Sequence, residues 1–428
     1  MRFLTKVNPL KSEVNLSESD YVTFLPMESI GEFGGFDDKN TKSLDEVYKG
    51  YTYFKDNDII IAKITPCFEN GKGTLVKNLM NGVGFGTTEL HVLRAKEYIL
   101  PKYLIYISYS EHFRKFGASE MLGAGGQKRV PENFIKDYLV FYPPLKEQEL
   151  IINFLDFKTF QIDKLIDEKE KLLELLEEKR ISLITNAVTK GLNPDVKMKP
   201  SGIDWLGDIP EHWTIKRLKY LSKIKFSGVN KKTEEGEIDV LLCNYVDVYN
   251  NEFIDSNIEF MKATATEKEI EKFSIENGDI LVTKDSESPD DIAIPAIVVE
   301  DFDGILCGYH LAQLKPNKNI LVPEYLFRLF QAKNFNSHFT TSANGVTRFG
   351  VGTDVFGDAV VPVFHKEEQL QIVGYIKENL NKINLLRDDI TCAVEKLKEY
   401  RSALITSAVT GKIDVRNFKQ EYENEKAY

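Results

Sequence analysis

The sequence predicts an α+β protein. Two α/β globular segments alternate with two long helices that pair as an antiparallel coiled coil, and the whole forms an internal pseudo-twofold repeat. Three observations carry this. A helical stretch from Glu147 to Thr189 recurs without a gap from Glu368 to Thr410, every position matched by adding 221. Both copies carry apolar residues at heptad spacing. The globular stretches that precede them repeat more loosely at the same offset. A repeat of this kind fixes an architecture before any local reading does.

The chain divides in order. Residues 1–142 are the first globular segment, 143–196 the first long helix with its exit, and 197–363 the second globular segment. Residues 364–416 are the second long helix, and 417–428 a polar tail. In the first segment, Tyr21 to Pro26, Asp58 to Ile64, Glu89 to Leu93 and Tyr138 to Tyr142 are strand candidates, and Pro101 to His112 is a helix opened by proline. Pro143-Pro144 then starts the first long helix. Its seam is Leu155, Ile162, Leu165, Leu176 and Leu183, interrupted by Lys169 with Leu172 and Leu173 one turn away. The matching seam is Ile376, Ile383, Ile390, Leu397 and Leu404. At ~1.5 Å per residue each helix is about 60 Å long, and a stripe of that length must be covered. Antiparallel packing lets the intervening segment leave and return at one end. Lys190-Gly191 and Pro194 end the first helix. Ser201 to Trp213 holds both tryptophans, with Pro210 excluding a continuous helix, and Lys216 to Lys225 is basic and partly helical.

Composition narrows the class. The chain has 428 residues, 42% hydrophobic and 11% aromatic, enough for two or three domains with cores. No apolar run approaches a membrane span and the N-terminus lacks a signal-peptide core, so no membrane partner and a cytoplasmic location are expected. Cys67, Cys243, Cys307 and Cys392 lack metal spacing and are expected to be reduced thiols. Net charge is −11. Residues 1–142 balance 18 basic against 18 acidic side chains, whereas 197–363 hold 18 against 26. A nucleic-acid reader with this balance needs local basic patches or a basic partner.

No catalytic constellation is present: no HExxH, phosphate-binding P-loop, GxSxG or GxGxxG between strand and helix. Catalytic residues and metal ligands are therefore expected to be none. Asp58 near Lys63, and Asp279 near Lys284, are closest to a metal-dependent hydrolase, but both aspartates sit where a turn residue is expected. Gly84 to Thr88 (GFGTT) is a weak phosphate-cradle pattern, because no helix follows it directly. Its counterpart is Leu306 to His310, and Glu89 stands in the place of His310. That exchange argues against a catalytic histidine and leaves His310 a loop contact or a structural residue. Gly125-Gly126-Gln127-Lys128-Arg129 is the best local candidate for nucleic-acid contact, with glycine for close approach, glutamine for an adenine edge, and lysine or arginine for phosphate or guanine. Thr347 and Arg348 occupy the corresponding place in the second copy. The full set of candidate DNA-contact residues is Lys63, Lys72, Thr87, Thr88, Gln127, Lys128, Arg129, Lys284, Tyr309, His310, Thr347 and Arg348. The helices repeat closely and the loops diverge, which is how binding specificity is carried on a scaffold.

The combination of SGIDWLGDIPEHW followed by Arg217-Leu218, the strand-plus-lysine runs DIIIAK and GDILVTK, the PPLKEQ helix opening, and the helix ends LITNAVT and LITSAVT resembles one family across nearly the whole chain. That family is the specificity (S) subunits of type I restriction–modification systems. The leader with Trp205 and Trp213 precedes only the second globular segment; the first begins near the equivalent of Arg217. The resemblance implies two target recognition domains that each read half of a split, asymmetric sequence in double-stranded DNA, with the helix pair as spacer. It implies two methyltransferase (M) partners, which use S-adenosylmethionine to methylate adenine at N6. It also implies restriction (R) partners that use ATP and Mg for translocation and cleavage. It implies no cofactor and no active site in this chain. The alternatives are a coiled-coil scaffold joining two protein-binding domains, or a nuclease or methyltransferase with its own active site.

Overall fold

The computed structural model describes residues 1–124, 126–416 and 418. It separates into two units, Met1–Glu170 with Thr391–Tyr428, and Lys171–Ile390. The first long helix, Leu145–Lys190, and the second, Lys366–Val409, therefore each contribute to both units.

In the first unit, one four-stranded sheet has the order Thr5–Val7, Leu90–Ala95, Asp58–Ala62, Gly73–Leu75, with every pair antiparallel. The other has the order Thr41–Ser43, Tyr21–Leu25, Val83–Gly86, Thr52–Lys55, and Tyr21–Leu25 runs parallel to Val83–Gly86. Gly84 lies in that strand because a Cβ there would sit 2.1 Å from the Phe54 ring. The glycines thus admit an aromatic core residue, and the stretch is a sheet strand and not a phosphate loop. Ile60, Phe54 and Val92 anchor one core cluster; Val22, Tyr53 and Phe85 anchor another.

The second unit repeats the plan with additions. Its main sheet runs Ser222–Phe226, Leu311–Pro316, Ile280–Thr283, Pro295–Val298, Phe253–Ile254. A three-stranded sheet runs Met261–Ala265, Ile238–Cys243, Ile305–Cys307. The register is kept across the repeat: Ile60 faces Val92 as Leu281 faces Gln313, and Ala62 faces Leu90 as Thr283 faces Leu311. The turn aspartates are kept too. Asp58 accepts from the Lys55 backbone N–H (2.9 Å) and is gripped by Arg94 at 2.6 and 2.7 Å; Asp279 accepts from Glu276 N–H (3.0 Å) with Lys315 at 3.4 Å. Both aspartates sit in turns, as the sequence suggested, and each also faces a cationic side chain. Cys67, Cys243, Cys307 and Cys392 are free thiols.

The helices pack antiparallel within each unit. In the first, Asp163 accepts from Arg401 (2.7 Å) and Glu170 from Lys398 (3.2 Å); in the second, Glu177 lies 3.9 Å from Arg387. Leu155, Ile162, Leu176, Ile376, Ile383, Ile390 and Leu404 are buried, and Leu183 and Leu397 half-buried. Leu165 corrects the expected seam: it is 46% exposed, and Ile166 is buried in its place. A helix with 3.6 residues per turn drifts against a strict heptad, so the buried stripe passes from Ile162 to the residue four on. Leu172 is exposed as well.

Three other expectations are corrected. Pro101–Tyr109 is a helix, but Ser110 turns the chain out of it and caps a new one, Glu111–Ser119. Lys216 to Lys225 is helical only at the 3-10 turn Leu218–Tyr220 and otherwise lies in strands: Thr214–Arg217 pairs with Val360–Val363, and Ser222–Phe226 with Leu311–Pro316. Tyr138 to Tyr142 forms no strand, because among the described residues no segment pairs with it. Of the tail 417–428, only Phe418 lies within the described residues; it packs edge-on against Phe154.

Candidate nucleic-acid interface

Each unit presents one hairpin beside the residue that follows a central strand, Lys63 after Asp58–Ala62 or Lys284 after Ile280–Thr283. In the first, Leu122 and Arg129 exchange backbone hydrogen bonds (3.0 and 2.8 Å), and Gln127 N–H donates to Ala124 (3.3 Å). Gly123 and Gly126 have φ of +139° and +78°, which the turn needs and glycine supplies. Gly125 lies outside the described residues. The hairpin is fastened by Val130 N–H to the Lys63 carbonyl (2.8 Å) and Thr65 N–H to the Lys128 carbonyl (3.0 Å). In the second unit, Asn344 and Gly350 exchange the same pair of bonds (3.1 and 3.0 Å), and Val351 N–H donates to the Lys284 carbonyl (3.1 Å). The 221 offset carries Val130 to Val351, so Gln127 corresponds to Arg348.

The side chains on this common frame differ. In the first hairpin Gln127 and Lys128 are exposed, and Arg129 holds Glu89 through two bonds of 2.9 Å. That pairing keeps the Glu89 carboxyl below its usual range. Thr87 Oγ1 accepts from Glu89 N–H (3.3 Å) and Thr88 is exposed. Lys63 is half-buried at the hairpin's root, and its N–H donates to Glu89 O (2.9 Å). Lys72 stands apart in role: its ammonium donates to the Met27 carbonyl (3.1 Å) and ties two loops.

In the second unit Asp285 gathers three cationic or basic groups. Lys284 and His310 Nδ1 lie against it, and Arg348 Nε is 3.2 Å away. Lys284 also lies 5.4 Å from the Tyr309 ring centre. Burial holds His310 below its ordinary pKa, with Asp285 pulling the other way. His310 has φ of +74°, a left-handed position unusual for a histidine. Tyr309, Thr347 and Arg348 are exposed. Sequence reasoning missed two neighbours. Tyr245 and Tyr249 stack at 5.7 Å on one short helix, donating to Ser286 (3.1 Å) and Asp291 (3.0 Å). Their spacing of four on a helix opened by Asn244 was the available signal. Among the described residues no group of three or more His, Cys, Asp or Glu could hold a metal ion, and no helix is long and apolar enough to cross a membrane.

The two units are scaffolds of one design that bear different exposed hairpins. Comparison with known proteins shows what the chain is similar to. Residues 9–178 match the type I restriction modification DNA specificity domain. The chain is 42% identical over 171 residues to the type I restriction enzyme EcoAI specificity subunit of Escherichia coli, covering 39% of this chain and 28% of that one. It is 42% identical over 183 residues to the EcoEI specificity subunit of the same species, with 40% and 30% covered. These matches span less than a third of either relative. The MjaVIII specificity subunit of Methanocaldococcus jannaschii is 22% identical over 314 residues, 73% of this chain and 71% of that one. Among solved structures, a chain from a study of complex assembly and conformational transition of the type I R-M system superposes with a TM-score of 0.68 at 16% identity, covering 92% of both chains. The HsdS subunit of Thermoanaerobacter tengcongensis gives 0.50 at 15% identity and 92% coverage of both. At these identities the structural likeness speaks to the fold. Over these stretches the chain is similar to the specificity subunits of type I restriction enzymes.

Proposed function

We propose that the chain is the DNA specificity subunit of a type I restriction–modification complex. It binds a bipartite, asymmetric double-stranded target, one half through each globular segment. It directs adenine-N6 methylation by two M subunits that carry S-adenosylmethionine, and restriction by R subunits that carry ATP and Mg. It holds no active site or cofactor of its own. The observation that carries this reading is the pair of hairpins at equivalent positions with unlike side chains, Gln127 in one and Arg348 in the other. Glutamine suits an adenine edge and arginine a guanine edge, so two unlike half-sites follow. Most of the phosphate neutralisation falls to the partners, because the chain is acidic overall and Asp285 already engages Lys284 and Arg348.

Genome-wide mapping of N6-methyladenine with and without this gene tests the reading. Loss of methylation at one split, asymmetric motif is expected, and it also yields the target sequence. An unchanged methylome in a host whose M subunit is expressed and co-purifies with the chain would sink it. Methyl transfer or cleavage by the purified chain alone would favour the enzyme alternative.

A further inference from the structure

The two copies of the scaffold differ in charge at one place. Within the second unit a cavity of about 980 Å³ is lined by the second long helix, the helix Pro323–Gln331 and the edge strand Phe253–Ile254. Five cationic side chains face it, Arg180, Lys318, Arg328, Lys377 and Arg387, against two carboxylates, Glu252 and Glu324. That local excess stands in a chain whose net charge is −11. Lys377, Asn381, Asn384 and Arg387 recur every three or four residues, so they share one face of their helix, and all four are exposed. The offset of 221 puts Asp156, Phe160, Asp163 and Ile166 at these positions in the first unit. There Asp156 accepts from Tyr106 (2.7 Å) and Lys102 (2.6 Å), and Asp163 from Arg401 (2.7 Å). A shift of one matches Tyr106 to Arg328. The scaffold itself therefore does not demand these cations; only the second copy carries them.

The floor of the cavity is under-neutralised. Arg328 is 3% exposed, and its guanidinium donates to Glu252 (3.1 Å) and Gln331 (2.8 Å). Glu252 also accepts from Arg180, so one carboxylate serves two guanidiniums. Burial pushes the pKa of Arg328 down to about 10, against the pull of Glu324. It stays charged at neutral pH, and a positive charge held out of water favours an anion beside it. The wall is also aromatic and amidic. Phe253 is 41% exposed, with Arg328 5.8 Å from its ring centre, and the amides of Asn277, Asn381 and Asn384 line the same space. Gly278, at φ +89°, keeps that wall open, since a Cβ there would sit 3.0 Å from Lys318 Cε.

We propose that this cavity binds a nucleoside diphosphate or triphosphate, its phosphates held by Lys377, Arg387 and Lys318 and its base laid against Phe253. Several cations around one space suit more than one phosphate group, and arginine suits phosphate oxygens in pairs. An exposed ring offers a stacking face, and carboxamides supply both donors and acceptors for a base or ribose. The volume lies at the upper end of small-molecule sites, which run to about 1,000 Å³. None of the hairpin residues takes part, so the inference stands apart from the DNA-specificity reading.

The probes are ADP, ATP and inorganic pyrophosphate, each titrated calorimetrically into the full-length chain without divalent metal. One-to-one saturable binding of both nucleotides is expected, at least tenfold tighter than that of pyrophosphate. Lys377→Asp and Arg387→Ile, which install the first unit's residues, should each weaken it at least tenfold. Both positions are exposed, so the melting temperature of the ligand-free chain should not change. Phe253→Leu should bring ADP towards the affinity of pyrophosphate and leave pyrophosphate itself unaltered. Absence of saturation at millimolar nucleotide, or binding indifferent to Lys377→Asp, overturns the proposal. ADP binding no tighter than pyrophosphate overturns it too, because the cavity would then hold only an anion. So does a loss of non-specific duplex DNA binding in Lys377→Asp that ADP cannot reproduce by competition, because the cations would then serve the DNA backbone.

Discussion

Two side chains illustrate how single residues set the properties of the first unit. Arg129 closes the base of the candidate hairpin, and Glu89 holds its side chain with two bonds. Contact with phosphate requires breaking that exposed pair, which costs little in water. Glu89→Gln removes the competing charge. Binding to non-specific DNA should tighten, and the slope of log K against log salt should steepen by about one phosphate contact. An unchanged slope in a salt titration would remove Arg129 from the interface. His91 acts through pH. It is 4% exposed, its Nε2 lies 2.8 Å from the Val130 carbonyl, and burial holds its pKa below the ordinary 6.5. The unfolded chain therefore binds the proton that the folded chain refuses. Stability contributed by neutral His91 is full above about pH 6.5 and falls as pH drops from there towards the depressed folded value. Urea midpoints should decline more steeply through that window in the parent chain than in His91→Gln, which retains a donor for Val130 but does not titrate.

At the scale of elements, the repeat is written in bonds as well as letters. Gln148 donates to the carbonyls of Tyr98 (3.0 Å) and Pro143 (2.8 Å) and accepts from Leu100 N–H (2.8 Å); Gln369 does the same with Ile320, Phe364 and Val322. The Tyr103 hydroxyl donates to Phe141 and Val409, and that of Tyr325 to Pro362 and Val188. These pins lock each globular part onto the helix pair; the ungapped offset of 221 matches Gln148 to Gln369, and a shift of one matches Tyr103 to Tyr325. What the offset could not convey was local phase and missing partners. Leu165 and Ile166 are both apolar, and only the accumulated drift of the helix decides between them. Tyr138 to Tyr142 has strand composition, but a strand exists only with a neighbour to bond. The hairpin residues were legible from glycine and charge; the Glu89 partner was not, because the two positions are 40 residues apart in sequence. The register makes its own prediction. Ile166→Ala should cost about 2–5 kcal/mol as a buried large-to-small change, whereas Leu165→Ala should stay within about 0.5 kcal/mol. Equal losses in chemical denaturation would restore Leu165 to the seam.

At the scale of the molecule, the proposed DNA-directed role falls to an acidic chain that carries one scaffold twice. Each unit is a scaffold with one variable hairpin, and each long helix runs without interruption from one unit into the other. The division falls at Glu170 in the first helix and at Ile390 in the second, positions that the repeat nearly equates. If the helix pair sets the distance between the two half-sites, its length is the variable and the hairpins are not. Inserting seven residues into each helix at these junctions preserves the seam and adds ~10 Å at ~1.5 Å per residue. Mapping of the methylated motif in a host carrying the lengthened chain should then recover both half-sites unaltered, with the spacer wider by up to about three base pairs at ~3.4 Å each. A motif whose spacer is unchanged would mean that the partners, and not these helices, hold the two readings apart.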